Sequence, residues 1–324
     1  MIYLKFHKDQ GLGNQLWNYV ALRAICAVKD FEYMIINPKN FKGSQIIDLK
    51  YKSNQKLNFT KKSNIKVFQE KIFYDVDLKT FTCDFDRNIL NIESETIING
   101  LFQSEKYFFS KDINEFLKVK NDNSKNKLKL KNKCILNIRG GEYKLHKDLL
   151  LPRNYWINAM KEMKKFKNDI EFVIVTDDNN YVSHLFPDIE ILKGDINNDF
   201  LNINEAEYLI VSNSSFAYFP IQLGTKPKKV IAPAFWARHN SHYNRWISPA
   251  NYYFGWNYLD RNGFMMDEED IKHNVQKTQE IYNKYNVLTD KTYFKKFSLK
   301  LLFPKSFRKF IKYILSIIFP LHIG

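Results

Sequence analysis

Residues 131–143 read "KNKCILNIRGGEY", and the passage from an apolar run to an arginine and paired glycines decides how the second half of the chain folds. Ile135, Leu136 and Ile138 suit a short buried strand, and Gly140-Gly141 ends it. Arg139 therefore stands at a strand end. In open α/β sheets the ligand crevice lies outside the carboxyl ends of the strands, where a guanidinium offers a planar pair of donors to a phosphate. Taken alone, Arg139 reads as an ordinary surface arginine beside a turn, so its neighbours must decide.

Downstream the same rhythm repeats. A helix around Tyr155 to Lys165, strand "EFVIVT", a short helix, strand "IEILK", helix "FLNINEAEY", strand "LIVSN", a further helix and strand "KKVIAP" follow in turn. Such alternation predicts a doubly wound α/β unit. Upstream, "MIYLKF" reads as a strand, "GLGN" as a turn, "QLWNYVALRAICAVKDF" as a helix with Leu16, Tyr19, Val20, Ala24 and Ala27 on one side, and "EYMIIN" as the next strand. That order is a βαβ unit. The polar, turn-prone stretch 121–133, "NDNSKNKLKLKNK", is the candidate boundary between the two units. Three segments are expected: 1–125, a Rossmann-like domain; 126–275, a second Rossmann-like domain; and 276–324, a helical linker with a basic amphipathic tail. No repeat at solenoid periods is present.

A chain of 324 residues with 44 % hydrophobic and 16 % aromatic content can build two such cores. Three widely spaced cysteines, Cys26, Cys83 and Cys134, form no CxxC pair, which speaks against a disulfide framework or structural zinc and for a reducing cytoplasm. No stretch reaches the roughly 18 unbroken apolar residues of a membrane span, and the first residues lack a signal-peptide core. The net charge is +15, and eight Lys and Arg residues with no acid lie from Lys291 onward. More than half of the excess thus sits in one tail. In "KSFRKFIKYILSIIF" (305–319), Phe307, Phe310, Ile311, Ile314, Leu315 and Ile318 recur at helical steps, while Arg308, Lys309 and Lys312 lie largely off that stripe. Too short and too basic to span a bilayer, it suits the anionic inner face of a cell membrane. No RNA-binding motif accompanies the charge, although a non-enzymatic RNA- or lipopolysaccharide-binding protein is the opposing class.

Three further turns carry candidate chemistry. "GLGNQ", Gly11 to Gln15, joins a strand to a helix, where free N–H groups can meet an anion, but Leu16 replaces the third glycine of GxGxxG. In "TDDNN", Thr176 to Asn180, Asp177 binds sugar hydroxyls or caps the next helix. "VSNSSFAYF", Val211 to Phe219, offers an amide and hydroxyls to a diphosphate, or an N-cap. Doubly wound topology gathers Arg139, Asp177 and Ser214 along one crevice. "DVD" (Asp75 to Asp77) and "DFD" (Asp84 to Asp86) are formal DxD matches for a Mn²⁺-diphosphate site, the alternative mechanism. His239 and His242 lack an apparent third metal ligand. From Phe235 to Trp256 aromatics crowd, with Trp236 and Trp246 as candidates to face a cleft and stack on sugars.

The segments "GLGNQLWNYVALRA", "NGLFQSEKYF" (99–108), "NIRGGEY", "FVIVTDD", "EAEYLIVSNSSFAYFPIQLG" and "KKVIAPAFW" resemble, in order and spacing, the bacterial α-1,2-fucosyltransferases of glycosyltransferase family 11. The resemblance covers about residues 1 to 260. It implies a GT-B-like α/β fold, with two Rossmann-like domains facing a cleft, the first (1–125) on the acceptor side and the second (126–275) binding the nucleotide sugar. It also implies metal-independent, inverting transfer of L-fucose from GDP-β-L-fucose to a glycan hydroxyl, in surface polysaccharide or lipopolysaccharide synthesis. Arg139 matches the family arginine that binds the donor diphosphate in HxRRGDY. Asn137, Gly140 and Glu142 replace the usual His, Arg and Asp. The implied donor side comprises Gly11, Gly13, Asn14, Gln15, Asn137, Asp177, Asn213, Ser214, Ser215 and Phe216. Gln103, Glu105, Trp236 and His239 are expected on the acceptor side. Arg139 and Glu142 are the catalytic candidates, with Glu142 as base or as the group that orients Arg139. No cofactor, metal or nucleic acid is expected.

Overall fold

The computed structural model describes residues 1–51, 65–75, 78, 80–120, 130–146, 148–224, 226–237 and 245–287. His239, His242, Asp77 and the whole basic tail from Lys291 lie outside them.

Strand β1 (Ile2–Lys5) runs into helix α1 (Leu12–Lys29) and returns as β2 (Tyr33–Ile36). Asp30 ends the helix in the left-handed conformation (φ 52°), its N–H donating to Cys26. Strands β3 (Lys66–Gln69) and β6 (Thr96–Asn99) complete a parallel sheet in the order β2-β1-β6-β3. Between them lies a small antiparallel pair, β4 (Phe73–Asp75) and β5 (Thr80–Thr82).

The second sheet begins with β7 (Lys133–Ile138), in which Ile135, Leu136 and Ile138 are buried as the apolar run requires. Then follow α2 (Arg153–Phe166), β8 (Glu171–Thr176), α3 (Asn179–Leu185), β9 (Glu190–Ile191), α4 (Ile196–Glu205) and β10 (Tyr208–Val211). Helix α5 (Tyr218–Leu223) and strand β11 (Lys229–Pro233) come next. Strands β12 (Trp236–Ala237) and β13 (Arg245–Ile247) leave this sheet, and β14 (Asn257–Leu259) rejoins it before helix α6 (Glu268–Val287). The order is β14-β11-β10-β7-β8-β9, all parallel. Counted from β7, this is the doubly wound order 3-2-1-4-5-6, whose direction of winding reverses between β7 and β10. The crevice for a ligand therefore opens where Asn137, in register with Val211 and Val175, leads into Arg139.

A third sheet, β12-β13-β5-β4, stitches the halves together, with β13 parallel to β5. Helix α6 reaches the same sheet, Tyr282 packing on Phe73 with ring centroids 5.5 Å apart. Residue 276 thus lies inside a continuous helix. No described helix is long and apolar enough to cross a membrane.

Helix α1 departs from the one-sided stripe expected of it. Ala27 is exposed, and burial covers nearly every side from Leu12 to Cys26. The reason is a second partner: Trp17 stacks on Tyr218 (4.4 Å) and Phe108 (5.4 Å) and meets Phe219 edge-on (5.1 Å). A helix with apolar contacts all round is one lodged between layers. Replacing Trp17 by Ala should cost about 3–5 kcal/mol, the range for truncating a large buried aromatic. Chemical denaturation should register it as a lower midpoint, and an unchanged midpoint would remove Trp17 from the junction.

Candidate functional site

Two strand ends frame the crevice. After β7, Arg139 points its guanidinium to Asp177 (Nη1 to Oδ2, 3.1 Å) and lies 5.2 Å from the Tyr143 ring centroid. Asp177, at the end of β8, also accepts the Gly140 N–H (2.9 Å). Gly141 adopts φ +31°, and a Cβ there would fall 2.6 Å from the Asp177 carboxylate. The glycine pair is thus what allows the Arg139 loop to wrap its acid. Asp177 holds that loop instead of presenting itself to sugar hydroxyls. The cap of α3 is Asp178, which accepts from Tyr181 N–H (3.0 Å) and pairs with Lys144. The Lys144 ammonium keeps the Asp178 carboxyl below the ordinary aspartate range.

After β10, Asn213 is buried and donates its side-chain amide to Leu149 O (3.1 Å), while its backbone carbonyl accepts from Tyr143 Oη (3.2 Å). The serines that follow do not cap α5. Ala217 occupies that position, and the Ser214 hydroxyl accepts from Phe216 N–H in a local turn instead. Near these two strand ends, four buried polar atoms have no hydrogen-bond partner among the described residues: Asn137 Oδ1, Arg139 Nε, Ser212 Oγ and Asn213 Oδ1. Each such atom in a folded protein calls for an explanation, such as a functional role or a bound water or ion.

Beside them opens a cavity of about 270 Å³ lined by Asn137, Arg139, Thr176, Asp177, Asn179, Gly194, Asp195, Ile196, Asp199 and Phe216. Asp195 is committed to capping α4, accepting from Asn197 and Asn198 N–H (2.9 Å each). Asp199 is different. Burial, then the neighbouring Asp195 and Asp177 carboxylates, push its pKa up to about 7 against a weaker pull from Arg139. It is a functional candidate that "GDINND" conceals, because an acid one turn into a capped helix reads as dipole complementation.

The remaining candidates divide clearly. Gly13 and Asn14 form the floor against Ser215: a Cβ on Gly13 would fall 2.5 Å from the Ser215 carbonyl carbon and oxygen, and Asn14 Oδ1 accepts from Ser215 Oγ and Gln103 Nε2 (2.7 Å each). Gly11 is exposed, with open space where a Cβ would be. Gln15 faces away from the crevice, fully buried, and secures the chain after β2 by donating to Asn40 O (2.8 Å) and accepting from Lys42 N–H (2.9 Å). Glu105 accepts from Tyr218 Oη (2.7 Å), which fastens the two halves, while Gln103 braces Asn14 within the first half. Glu142 is exposed and does not line the cavity. Trp236 lines a separate cavity. Of the DxD acids, Asp86 accepts from Lys71 and Asn88 N–H, Asp84 pairs with Lys106 (2.7 Å), and Asp75 accepts from Leu78 N–H. None lines the crevice, and among the described residues no group of three acidic, His or Cys side chains is placed to hold a metal.

No family model matches the chain, and no curated protein matches it. Solved structures similar to it include fucosyltransferase NodZ from Bradyrhizobium, at 13 % identity and TM-score 0.39 over 69 % of this chain and 93 % of that one. Another is POFUT1 in complex with GDP, at 9 % identity and TM-score 0.42 over 71 % of this chain and 97 % of that one. The chemistry of the crevice rests on its own residues.

Asp199 makes the fold pH-dependent. Its folded pKa of about 7 stands above the ordinary value of 3.8, so its stabilising contribution is complete below that lower value and is lost as pH rises to about 7. Melting temperatures measured across this window should fall more steeply in the wild type than in Asp199→Asn. Parallel profiles would show that the carboxyl is not held in this environment.

Proposed function

We propose that the protein is a glycosyltransferase that moves L-fucose or a related sugar from a GDP-sugar to a glycan hydroxyl, with inversion and without a metal. The observation that carries this reading is the set of orphaned polar atoms around Arg139 at the point where the second sheet reverses its winding. In the transfer, the bond from the anomeric carbon to the diphosphate oxygen breaks, a bond to the acceptor oxygen forms, and the acceptor proton departs. Negative charge grows on the leaving diphosphate. Arg139, held in place by Asp177, meets that charge from a partly desolvated position, where a fixed cation counts for more than in water. Phe216 closes the other side of the cavity. Because Glu142 lies outside the cavity, the reading relies on a loose transition state in which the proton leaves late.

Asp199 supports guanine as the base. Once ionised, its carboxylate accepts two hydrogen bonds side by side, and guanine presents such a pair of donors, N1–H and the 2-amino group, whereas uracil presents one; with the Asp199 pKa pushed up to about 7, that pairing should strengthen as pH rises through neutrality. Fucose as the sugar, α-1,2 as the linkage and surface glycan synthesis as the setting are drawn from the motif resemblance. The basic segment from Lys291 is proposed to hold the enzyme on the cytoplasmic side of an anionic membrane, each cation near the surface adding about 1 kcal/mol.

The central test is donor turnover. Arg139→Ala should lower it by at least roughly 100-fold in excess EDTA as well as without it, and Arg139→Lys should restore only part. GDP, and not UDP, should raise the melting temperature, a preference that Asp199→Asn loses. Near-normal turnover in the alanine variant, or activity that vanishes on chelation and returns with Mn²⁺, would reject this mechanism.

For the tail, truncation before Lys291 should preserve turnover on a soluble acceptor and abolish sedimentation with anionic liposomes. Persisting sedimentation would place membrane attachment elsewhere.

A further inference from the structure

Glu70 follows β3 and is 2 % exposed, an uncommon place for a carboxyl. Its N–H pairs with Asn99 O (2.9 Å) at the end of β6, which brings its side chain against the loop that β6 leads into. Three donors converge on it. Oε2 accepts from the N–H groups of Leu101 (2.6 Å) and Phe102 (2.9 Å), and Oε1 accepts from Tyr107 Oη (2.8 Å). The approach is close, since a Cβ on Gly100 would fall 2.5 Å from the Glu70 Cβ.

The loop so held is strained. Phe102 is wholly buried and adopts φ +49°, a left-handed conformation that costs energy for a residue with a bulky side chain. A carboxyl that takes its N–H and its neighbour's offsets that cost. The junction follows at once: Gln103 donates to Asn14 Oδ1 (2.7 Å), which also takes the Ser215 hydroxyl, and Glu105 accepts from Tyr218 Oη (2.7 Å). Ser215 precedes Phe216, a wall of the cavity beside Arg139. One buried acid thus stands behind both contacts.

We infer that Glu70 is a positioning residue: it holds residues 100–105 in the shape that delivers Gln103 to Asn14 and Glu105 to Tyr218, and so fixes the crevice wall at Ser215 and Phe216. Its hold on the loop rests on these bonds, whereas its bearing on a sugar donor rests on the glycosyltransferase reading. The hold depends on charge. Oε2 faces two backbone N–H groups, so a proton on Glu70 must sit on Oε1 and point at Tyr107. Tyr107 Oη already accepts the Asp86 N–H (2.9 Å), and its own hydrogen then loses its acceptor. Burial outweighs the three donors and, with the Asp86 carboxylate adding to it, pushes the Glu70 pKa up to about 7. The ionisable groups that face Glu70 are Tyr107, Asp86 and, from α6, Tyr282. The Lys106 ammonium is drawn to Asp84 (2.7 Å), and among the described residues no Lys or Arg pairs with Glu70. Both forms of the acid are therefore present near neutral pH.

Glu70→Gln reproduces the protonated pattern at every pH, its carbonyl toward the two N–H groups and its NH₂ toward Tyr107. The full-length wild type and variant are compared in GDP affinity, by calorimetry, and in hydrogen exchange of residues 99–108 without ligand. Affinity falls with the fraction of molecules whose wall is in place, and the titrations of GDP and of Asp199 cancel in the ratio of the two proteins. At about pH 5 the two should match; at about pH 8 the variant should bind GDP about tenfold more weakly and exchange the segment about tenfold faster, the equivalent of one charge-assisted hydrogen bond. Should Glu70→Gln melt without cooperativity, Tyr107→Phe, which removes only the hydroxyl between Glu70 and Asp86, takes its place and should show a gap that widens with pH. Ratios that stay constant across pH, or an exchange gap with no affinity gap in a protein that binds GDP, overturn the inference. A widening exchange gap without any GDP binding would keep the hold of Glu70 on the loop and sink the donor reading, whereas GDP binding with no widening in either measurement would sink Glu70 alone.

Discussion

The approach of Gly13 to Ser215 is the constraint on which the arrangement depends. A side chain at Gly13 would occupy the space of the Ser215 carbonyl, so only glycine lets the first turn of α1 reach the loop after β10. That contact is then locked polar atom by polar atom, because Asn14 Oδ1 takes hydrogen bonds from Ser215 and from Gln103 at once. Behind it, the layer of Trp17, Phe108, Tyr218 and Phe219 excludes water from the junction. The polar contacts fix register and the aromatic layer supplies affinity, so the two sheets meet with the carboxyl edge of the second one facing the junction.

Where the chain carries a long local pattern, the sequence was legible. The run before Arg139 and the alternation after it predict the second sheet, because a buried parallel strand is an apolar run wherever it occurs. The third sheet was not legible. Its strands are two or three residues long and its pairings join β5 to β13 across most of the chain, so no local period records them. The same cause hid the all-round burial of α1, whose second partner, α5, lies far along the sequence. At the site, Arg139 was legible because it interrupts a strand pattern. Gln15, Gln103 and Glu105 are engaged in fastening loops, and a polar side chain that does so has the same sequence signature as one that binds a ligand. Asp199 was hidden in the first turn of a capped helix.

The net charge is a poor guide to this crevice. The chain is strongly basic, yet the cavity beside Arg139 is lined by three carboxylates, Asp177, Asp195 and Asp199, against one arginine. An anion placed at its centre would be repelled. Two of those acids are already engaged, Asp177 with Arg139 and Gly140, and Asp195 with the first turn of α4, which leaves Asp199 as the acid whose environment resists ionisation.

That asymmetry gives the crevice a direction. Its β7 side, with the guanidinium, favours a ligand edge that accepts hydrogen bonds, and its α4 side carries a carboxyl that accepts them once ionised. On the proposed reading a nucleoside diphosphate would lie with its base toward Asp199 and its phosphates toward Arg139. A single reversal in strand winding would then set the polarity of the donor, since side chains at successive strand ends are ordered by the sheet rather than by the chain.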